Sequence, residues 1–249
     1  MDLDVALWTL LLVGAFLVGV AKTSVGGLAV VAVLTFALAM PTLQSTGAVL
    51  LVFLTGDLVA IWRYLRDCDW SLLRGLLPWV LPGVAMGAWF LTVVDGVALK
   101  RWIGAILAVS VLLHVVLTRR TGERAAPGSG RRRLLGTAGA GLAAGFTTMA
   151  ANAGGPVMTL YLLMQRVDKR VFVGTGAWFF FIINATKVPF SVAVGAINVE
   201  VVKIVAVLAP AVLAGAFVGI WLLRIIPQKL FNGLALLASA VAAVVLMVA

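Results

Sequence analysis

The sequence predicts an all-α, polytopic membrane protein, and three observations carry this prediction. Of its 249 residues, 63% are hydrophobic and only 11% are charged, whereas soluble domains carry about 25% charged residues. Apolar runs recur along the whole chain, and most reach the roughly 17–25 residues that a helix needs to cross a bilayer. Because the runs are uniformly apolar and do not alternate, they indicate helices and exclude the strands of a membrane barrel.

The apolar runs give the expected helices in order. They cover residues 3–21, 25–40, 44–62, 75–94, 98–118, 134–151, 154–165, 172–196, 199–223 and 228–249. The first two runs form one stretch over 3–40, which as a single straight helix would be about 57 Å long, far beyond a hydrocarbon core of about 30 Å. We therefore expect this stretch to break at KTSVGG, residues 22–27. The stretch 134–165 is expected to break likewise at TTMAANAGGP, residues 147–156.

The two halves of the chain carry the same markers in the same order. STGAVLLVFLTGD at 45–57 runs parallel to GTGAWFFFIINAT at 174–186, and LPGVAMGAW at 81–89 parallels APAVLAGAF at 209–217. Between the halves, an Arg-, Gly- and Pro-rich segment at 119–133 is typical of a solvated linker. Duplications of this kind are common in transporter folds.

The repeat gives a domain prediction. Residues 1–118 form a first membrane repeat, 119–133 a cytoplasmic linker, and 134–249 a second membrane repeat. The glycine pairs Gly26-Gly27 and Gly154-Gly155 correspond, because each follows a broken apolar run.

Loop charge predicts how the repeats are oriented. The formal net charge of +10 lies mainly in loops between the apolar runs, which favours the positive-inside rule over nucleic-acid binding. The expected cytoplasmic loops hold Arg63, Arg66 and Arg74; Arg119, Arg120, Arg124, Arg131, Arg132 and Arg133; Arg166, Lys169 and Arg170; and Arg224 with Lys229. All four can be inside only if 3–40 and 134–165 each enter and return on one side. We therefore predict two inverted repeats, each a broken-helix hairpin plus three transmembrane helices, with both termini on the outer side.

The two breaks are the first candidate site. Non-helical backbone inside a membrane is tolerated only where protein encloses it or where it lines a wet cavity. Helices that begin near Gly26 or Gly154 would present unpaired N–H groups to an anion. Ser24 and Asn152 are equally well explained as ordinary N-caps of those helices. Lys22 could snorkel to the headgroups, but a hairpin tip lies far from the surface it entered, which favours a lysine that faces an anion.

A second intramembrane cation, Lys187, follows Asn184 and Thr186 in the eighth run. A lysine at the centre of a membrane helix costs about 2.5–3.5 kcal/mol on insertion scales, so a partner or a wet cavity is expected. The neighbouring position of the first half holds Asp57. Two interpretations stay open: Asp57 and Lys187 form a structural ion pair, or Asp57 accepts a proton or cation while Lys187 holds the substrate.

These segments resemble a known family. GAFLVGVAKTSVGGLAV followed by STGAVLLVFLTGD, and GAGLAAGFTTMAANAGGPVMTLYLL followed by GTGAWFFFIINATKVP, are similar to the sulfite exporter TauE/SafE family of membrane permeases over essentially the whole chain. The resemblance implies a bacterial or archaeal inner-membrane transporter of anions, often sulfite or organosulfonates. Its residues carry over at the matching breaks only, namely Gly26, Gly27, Gly154 and Gly155.

We therefore expect a secondary transporter, in the export direction, of small anions by alternating access, with both hairpins meeting near the midplane of the bilayer. Asp57 is the predicted ion-coupling residue, which leaves proton or cation coupling open. The predicted substrate-binding residues are Lys22, Thr23, Ser24, Gly26, Gly27, Thr46, Asn152, Gly154, Gly155, Thr175, Asn184 and Lys187.

Other function classes are less favoured. A passive anion channel or a structural membrane subunit remains as an alternative. An enzyme is disfavoured because the sequence has one histidine, one cysteine and no HExxH or GxSxG motif. We expect no metal and no cofactor, and we expect the partners to be a small anion and the lipid bilayer, with homo-oligomerisation left open.

Overall fold

A computed structural model of the chain describes residues 4–24, 29–93, 131–152 and 154–248, with the single positions 105, 109 and 112. Over these residues the structure is helical and contains no strand. The helices are α1 (Val5–Thr23), α2 (Ala29–Ala39), α3 (Thr42–Tyr64), α4 (Trp70–Val93), α5 (Arg131–Ala151), α6 (Gly154–Gln165), α7 (Lys169–Ala193), α8 (Val199–Ile225) and α9 (Gln228–Val248).

The helices confirm the predicted apolar runs and both predicted breaks. Apart from three single positions, the run 98–118 lies outside the described residues, and every other run corresponds to a helix. The first break falls between α1 and α2, and the second falls at Asn152 between α5 and α6. Within the described part of the chain, α1, α3, α4, α7 and α8 are long and apolar enough to cross a membrane.

The first of two compact units comprises Met1–Cys68 and Lys169–Pro227 and holds α1, α2, α3, α7 and α8. Its core is built of buried aliphatic and aromatic side chains from α1, α2, α3 and α8. In this unit α1 packs along α8, and α3 packs along both α7 and α8. The unit thus combines helices from both halves of the sequence, and the predicted division at 119–133 stays a prediction.

Glycines set the distance between α1 and α8. A methyl group at Gly19 would overlap the backbone of Val212, and one at Gly215 would overlap the backbone of Phe16. Gly219 likewise faces the hydroxyl of Thr23. Small residues let membrane helices approach closely enough for extensive van der Waals contact. The Gly215–Gly219 spacing is that of a GxxxG motif.

The second unit comprises Asp69–Asp168 and Gln228–Ala249 and holds α4, α5, α6 and α9. Here α4 packs along α5, while α6 packs against α5 and α9. The same device recurs, because methyl groups at Gly83 or Gly145 would overlap the backbone of the facing helix. In α6, Pro156 lies in the first turn, where its missing N–H costs no helical hydrogen bond.

Candidate functional site

Helices α3 and α7 of the first unit form an antiparallel pair. At one end of this pair Gly47 lies against the backbone of Ala196, and at the other end Gly174 lies against the carbonyl of Tyr64. Asp57 lies about 15 Å along α3 from Gly47 and about 10 Å from Tyr64, at a rise of 1.5 Å per residue. Polar groups at this level are therefore remote from both ends of the pair.

Lys22, in the last turn of α1, reaches α3 at this level. Its stem crosses Gly56, where an added Cβ would stand 2.9 Å from the Lys22 Cγ and 3.1 Å from its Cβ. Any larger residue at position 56 would occupy the path of the lysine. A cation in the last turn of a helix also complements the negative end of the helix dipole. Lys22 therefore has this structural role as well.

The lysine forms a buried ion pair with Asp57. The Lys22 Nζ lies 2.7 Å from Asp57 Oδ1, and the two side chains are 7% and 0% exposed. This oxygen has no hydrogen bond of good angular geometry, but at 2.7 Å from an ammonium its charge is compensated. The other oxygen, Oδ2, accepts a hydrogen bond of 3.0 Å from the amide nitrogen of Asn184 on α7. The carboxylate thus connects α1, α3 and α7.

Two aromatic rings also lie near the ammonium. Lys22 Nζ lies 4.5 Å from the centroid of the Phe53 ring and 4.6 Å from that of Phe180. Ammonium groups within about 6 Å of a ring centroid are attracted to the face of the ring, most strongly when desolvated. We call Lys22, Phe53, Asp57, Phe180 and Asn184 the lysine cluster.

Lys187 lies next to this cluster on α7, one turn beyond Asn184. It is 9% exposed, and it lies close enough to Lys22 for the two side chains to interact electrostatically. Pro189 follows within α7 and removes the helical donor for the carbonyl of Ala185. The ion pair that the structure shows for Asp57 is with Lys22 and not with Lys187, so the expected structural pair of Asp57 with Lys187 is wrong. The other interpretation, in which Asp57 accepts a proton or cation while Lys187 holds the substrate, stays a prediction.

The end of α1 is held by hydrogen bonds within its own last turn and with two other helices, α3 and α8. The Ser24 hydroxyl donates to the Val20 carbonyl at 2.6 Å. The Thr23 hydroxyl lies 2.9 Å from the carbonyls of both Gly19 and Ala216. Tyr64, which is buried, donates to the Thr23 carbonyl at 3.3 Å. Thr23 and Ser24 therefore serve backbone carbonyls in this conformation, and Ser24 ends α1.

The two threonines of the predicted site lie away from the lysine cluster. Thr46 is exposed, donates to the Leu43 carbonyl, and lies about 16 Å along α3 from Asp57. Thr175 is buried in α7, about 13 Å along the helix from Asn184. The structure therefore does not bring Thr46 and Thr175 to the anion site that the sequence suggested for them.

The glycines of the breaks and Asn152 complete the predicted set. Gly26 and Gly27 lie outside the described residues. Gly154 and Gly155 begin α6, and Asn152 has the left-handed φ of 52° that ends α5. Asparagine tolerates this conformation better than most residues. These three residues belong to the second unit, and their predicted role as ligands of an anion stays a prediction.

Four residues of this region were not predicted: Phe53, Gly56, Tyr64 and Phe180. Their signal was spacing, because Phe53 precedes Asp57 by four residues and Phe180 precedes Asn184 by four, so each aromatic shares a helix face with a polar residue. A glycine beside an intramembrane acid, as at Gly56, indicates a close approach of another chain segment. Among the described residues, no group of three His, Cys, Asp or Glu side chains could hold a metal ion.

Gly56 provides a direct test of this geometry. The substitution Gly56→Leu would fill the path of the Lys22 stem and is expected to destabilise the protein by about 1–3 kcal/mol, because overpacking of a dense interior costs about that much. Unfolding of the purified protein in mixed micelles measures this effect. Gly233→Leu, at a position where an added methyl meets no atom within 4 Å, is the matched control. A Gly56→Leu variant as stable as the wild type would contradict the described path of Lys22.

The long apolar helices and the buried charged residues define a multi-pass membrane protein. The sequence model of the family described as Sulfite exporter TauE/SafE matches residues 11–246, nearly the whole chain. The chain belongs to this family of membrane transporters, as the resemblance of its repeated segments predicted. No curated protein and no solved structure matches the chain.

Proposed function

We propose that the protein is a secondary transporter that exports small anions, sulfite or organosulfonates, across the inner membrane by alternating access. The observation that carries this proposal is the lysine cluster, a buried cation and its counter-ion in the middle of a helix pair, beside the end of a broken helix. Ionisable side chains inside membrane proteins are costly and usually mark a substrate or ion pathway.

A purely structural ion pair explains this arrangement less well. Buried ion pairs are often no more stabilising than apolar residues of the same volume, because desolvation of the two charges offsets their attraction. A second buried lysine, Lys187, lies near Lys22. Two neighbouring lysines inside a membrane protein suit a site that receives an anion. In this proposal Lys22 and Lys187 bind the anion, and Asn184 donates a hydrogen bond to it.

Charge at one end of the first unit supports the proposed orientation. Gly174 lies against Tyr64 and Asp67, and Lys169 donates to the Ile226 carbonyl, so the end of α3, the start of α7 and the end of α8 lie together. These three segments carry arginines that the positive-inside rule assigns to the cytoplasm. An anion leaving the cell would enter from this end, and both termini of the chain would then lie outside.

The packing within each unit supports the proposed repeats. In the first unit α1 packs along α8, which carries Pro210 and Gly215; in the second, α5 packs along α4, which carries Pro82 and Gly87. The first helix of each hairpin thus meets the helix with the matching proline and glycine from the other half of the sequence. Reciprocal contacts of this kind are expected of two repeats that exchange helices.

Flux into and out of proteoliposomes tests the proposal, with a panel of sulfite, methanesulfonate, sulfate and acetate. We expect saturable movement of a sulfur oxyanion by the wild type. Lys22→Ala and Lys187→Ala are each expected to lower it at least about 100-fold, since removal of one partner from a buried charged site costs about 3–5 kcal/mol. Lys203→Ala, which removes an exposed lysine of the same unit, is the matched control. Unchanged flux in both variants would show that the lysines do not bind the substrate.

Counterflow separates a carrier from a passive anion channel. Unlabelled anion on the far side of the membrane is expected to accelerate movement of labelled anion. The reason is that a carrier with an occupied site changes its orientation faster than one with an empty site. A channel has no such dependence, so the absence of acceleration would contradict alternating access and favour the channel.

A further inference from the structure

We propose that Asp57 is a tethered competitor of the transported anion, which replaces it at Lys22 while Asp57 takes up one proton. This inference rests on the proposed function and adds to it a substrate charge and a coupling stoichiometry. The chemistry is an exchange of partners: the Lys22–Asp57 ion pair separates, a monovalent oxyanion pairs with Lys22, and a proton from water neutralises Asp57.

The first step of the argument is the saturation of Lys22. An ammonium group has three N–H donors, and three groups of the described part of the chain lie around it: the Asp57 carboxylate at 2.7 Å and the rings of Phe53 and Phe180 at 4.5 and 4.6 Å. An incoming anion therefore has to displace one of these three groups. The carboxylate is the one that resembles a sulfonate, since both are singly charged oxyanions that accept hydrogen bonds from an ammonium.

The second step is the fate of the displaced carboxylate. Asp57 is 0% exposed, and without Lys22 its contact in the cluster is the amide of Asn184. An ionised carboxylate that is buried without a counter-ion is far more costly than a neutral carboxyl group. Protonation removes this cost. An amide can serve both forms, because its N–H groups donate to a carboxylate and its carbonyl accepts from a carboxyl O–H.

The third step counts charge on every element packed against α3. At the level of Asp57 these groups are Lys22 on α1 and Lys187 on α7. Helix α2 has no titratable side chain, and those of α8, which are Glu200, Lys203 and Arg224, lie near its two ends. When a monovalent anion enters together with one proton, the net charge of the cluster does not change, whatever the charge of Lys187. A divalent anion would add one negative charge. The site is therefore expected to prefer sulfonates and hydrogen sulfite to sulfate.

Calorimetric titration of the purified protein with methanesulfonate tests the exchange. Titrations in two buffers of different ionisation enthalpy give the number of protons taken up per anion bound. We expect one proton for the wild type and none for Asp57→Asn, which keeps the shape of the side chain. Binding by this variant is expected to be about tenfold tighter near neutral pH and independent of pH, because the competitor is gone. Asp67→Asn, which removes an acid outside the cluster, is expected to take up one proton like the wild type.

Any other result of the titrations overturns the inference. Flux of sulfite and methanesulfonate, measured in the same preparations, tells whether the proposed function survives. Binding by the wild type without proton uptake would overturn the exchange even if every variant failed to fold. Proton uptake by Asp57→Asn would assign the proton to another group. If methanesulfonate does not bind but anions are transported, the inference fails alone. If neither binding nor flux is seen, the proposed function fails with it.

Discussion

Replacement of Asp57 by leucine alone is expected to destabilise the protein by about 3–5 kcal/mol, because it leaves the Lys22 ammonium buried without its counter-ion. The pair is desolvated on both sides, with 7% and 0% of the two side chains exposed. The attraction of the Phe53 and Phe180 rings, about 2 kcal/mol each for a desolvated cation, supplies no negative charge and cannot replace the carboxylate. Unfolding of the purified protein in mixed micelles measures the difference in free energy.

The double variant Lys22→Met, Asp57→Leu separates stability from function. It replaces both charges by apolar side chains of similar volume, and such replacements of buried pairs are often neutral or stabilising. We expect most of the lost stability to return, while anion flux stays at background. Restored flux in the double variant would show that the lysine cluster is a structural device and not the anion site. A single Asp57→Leu variant as stable as the wild type would indicate that water reaches the cluster.

The sequence contained enough information to predict the helices and their breaks, because both depend on length and apolar character alone. It also drew attention to the four polar residues of the region, Lys22, Asp57, Asn184 and Lys187, since each interrupts an apolar run. It did not contain the pairing among them. Depth along a helix can be counted in residues, but which faces meet depends on packing. The space left by Gly56 lets α1 bring Lys22 to Asp57. The comparison of the two halves of the sequence had suggested Lys187 as the partner of Asp57.

The predicted threonines illustrate a second limit of sequence comparison. Thr46 and Thr175 were chosen because the segments STGA and GTGA recur in both halves. In the structure, Gly47 of the first segment lies against Ala196, and Gly174 of the second lies against Tyr64. The recurring segments therefore mark the two ends at which α3 and α7 touch. Small residues recur at such positions because two backbones approach there, and recurrence alone does not separate packing from binding.

The substitution Gly215→Leu is expected to have the second large effect, a loss of stability of about 3 kcal/mol or more with loss of flux, because it forces α1 and α8 apart. An added methyl would already overlap the backbone of Phe16, and backbone atoms cannot rotate away as the end of a side chain can. Overpacking costs of about 1–3 kcal/mol apply where neighbours yield, so a rigid helix pair lies at or above that range. Gly233→Leu is the control, and unfolding in mixed micelles is again the measurement.

The contact between α1 and α8 also fixes the position of Lys22. Because Thr23 donates a hydrogen bond across this contact to Ala216, and Lys22 adjoins Thr23, separation of the two helices also displaces the lysine. A stable but inactive Gly215→Leu variant, with its lysine cluster displaced, would show that the contact positions the site; a stable and fully active one would contradict the packing described for α1 and α8.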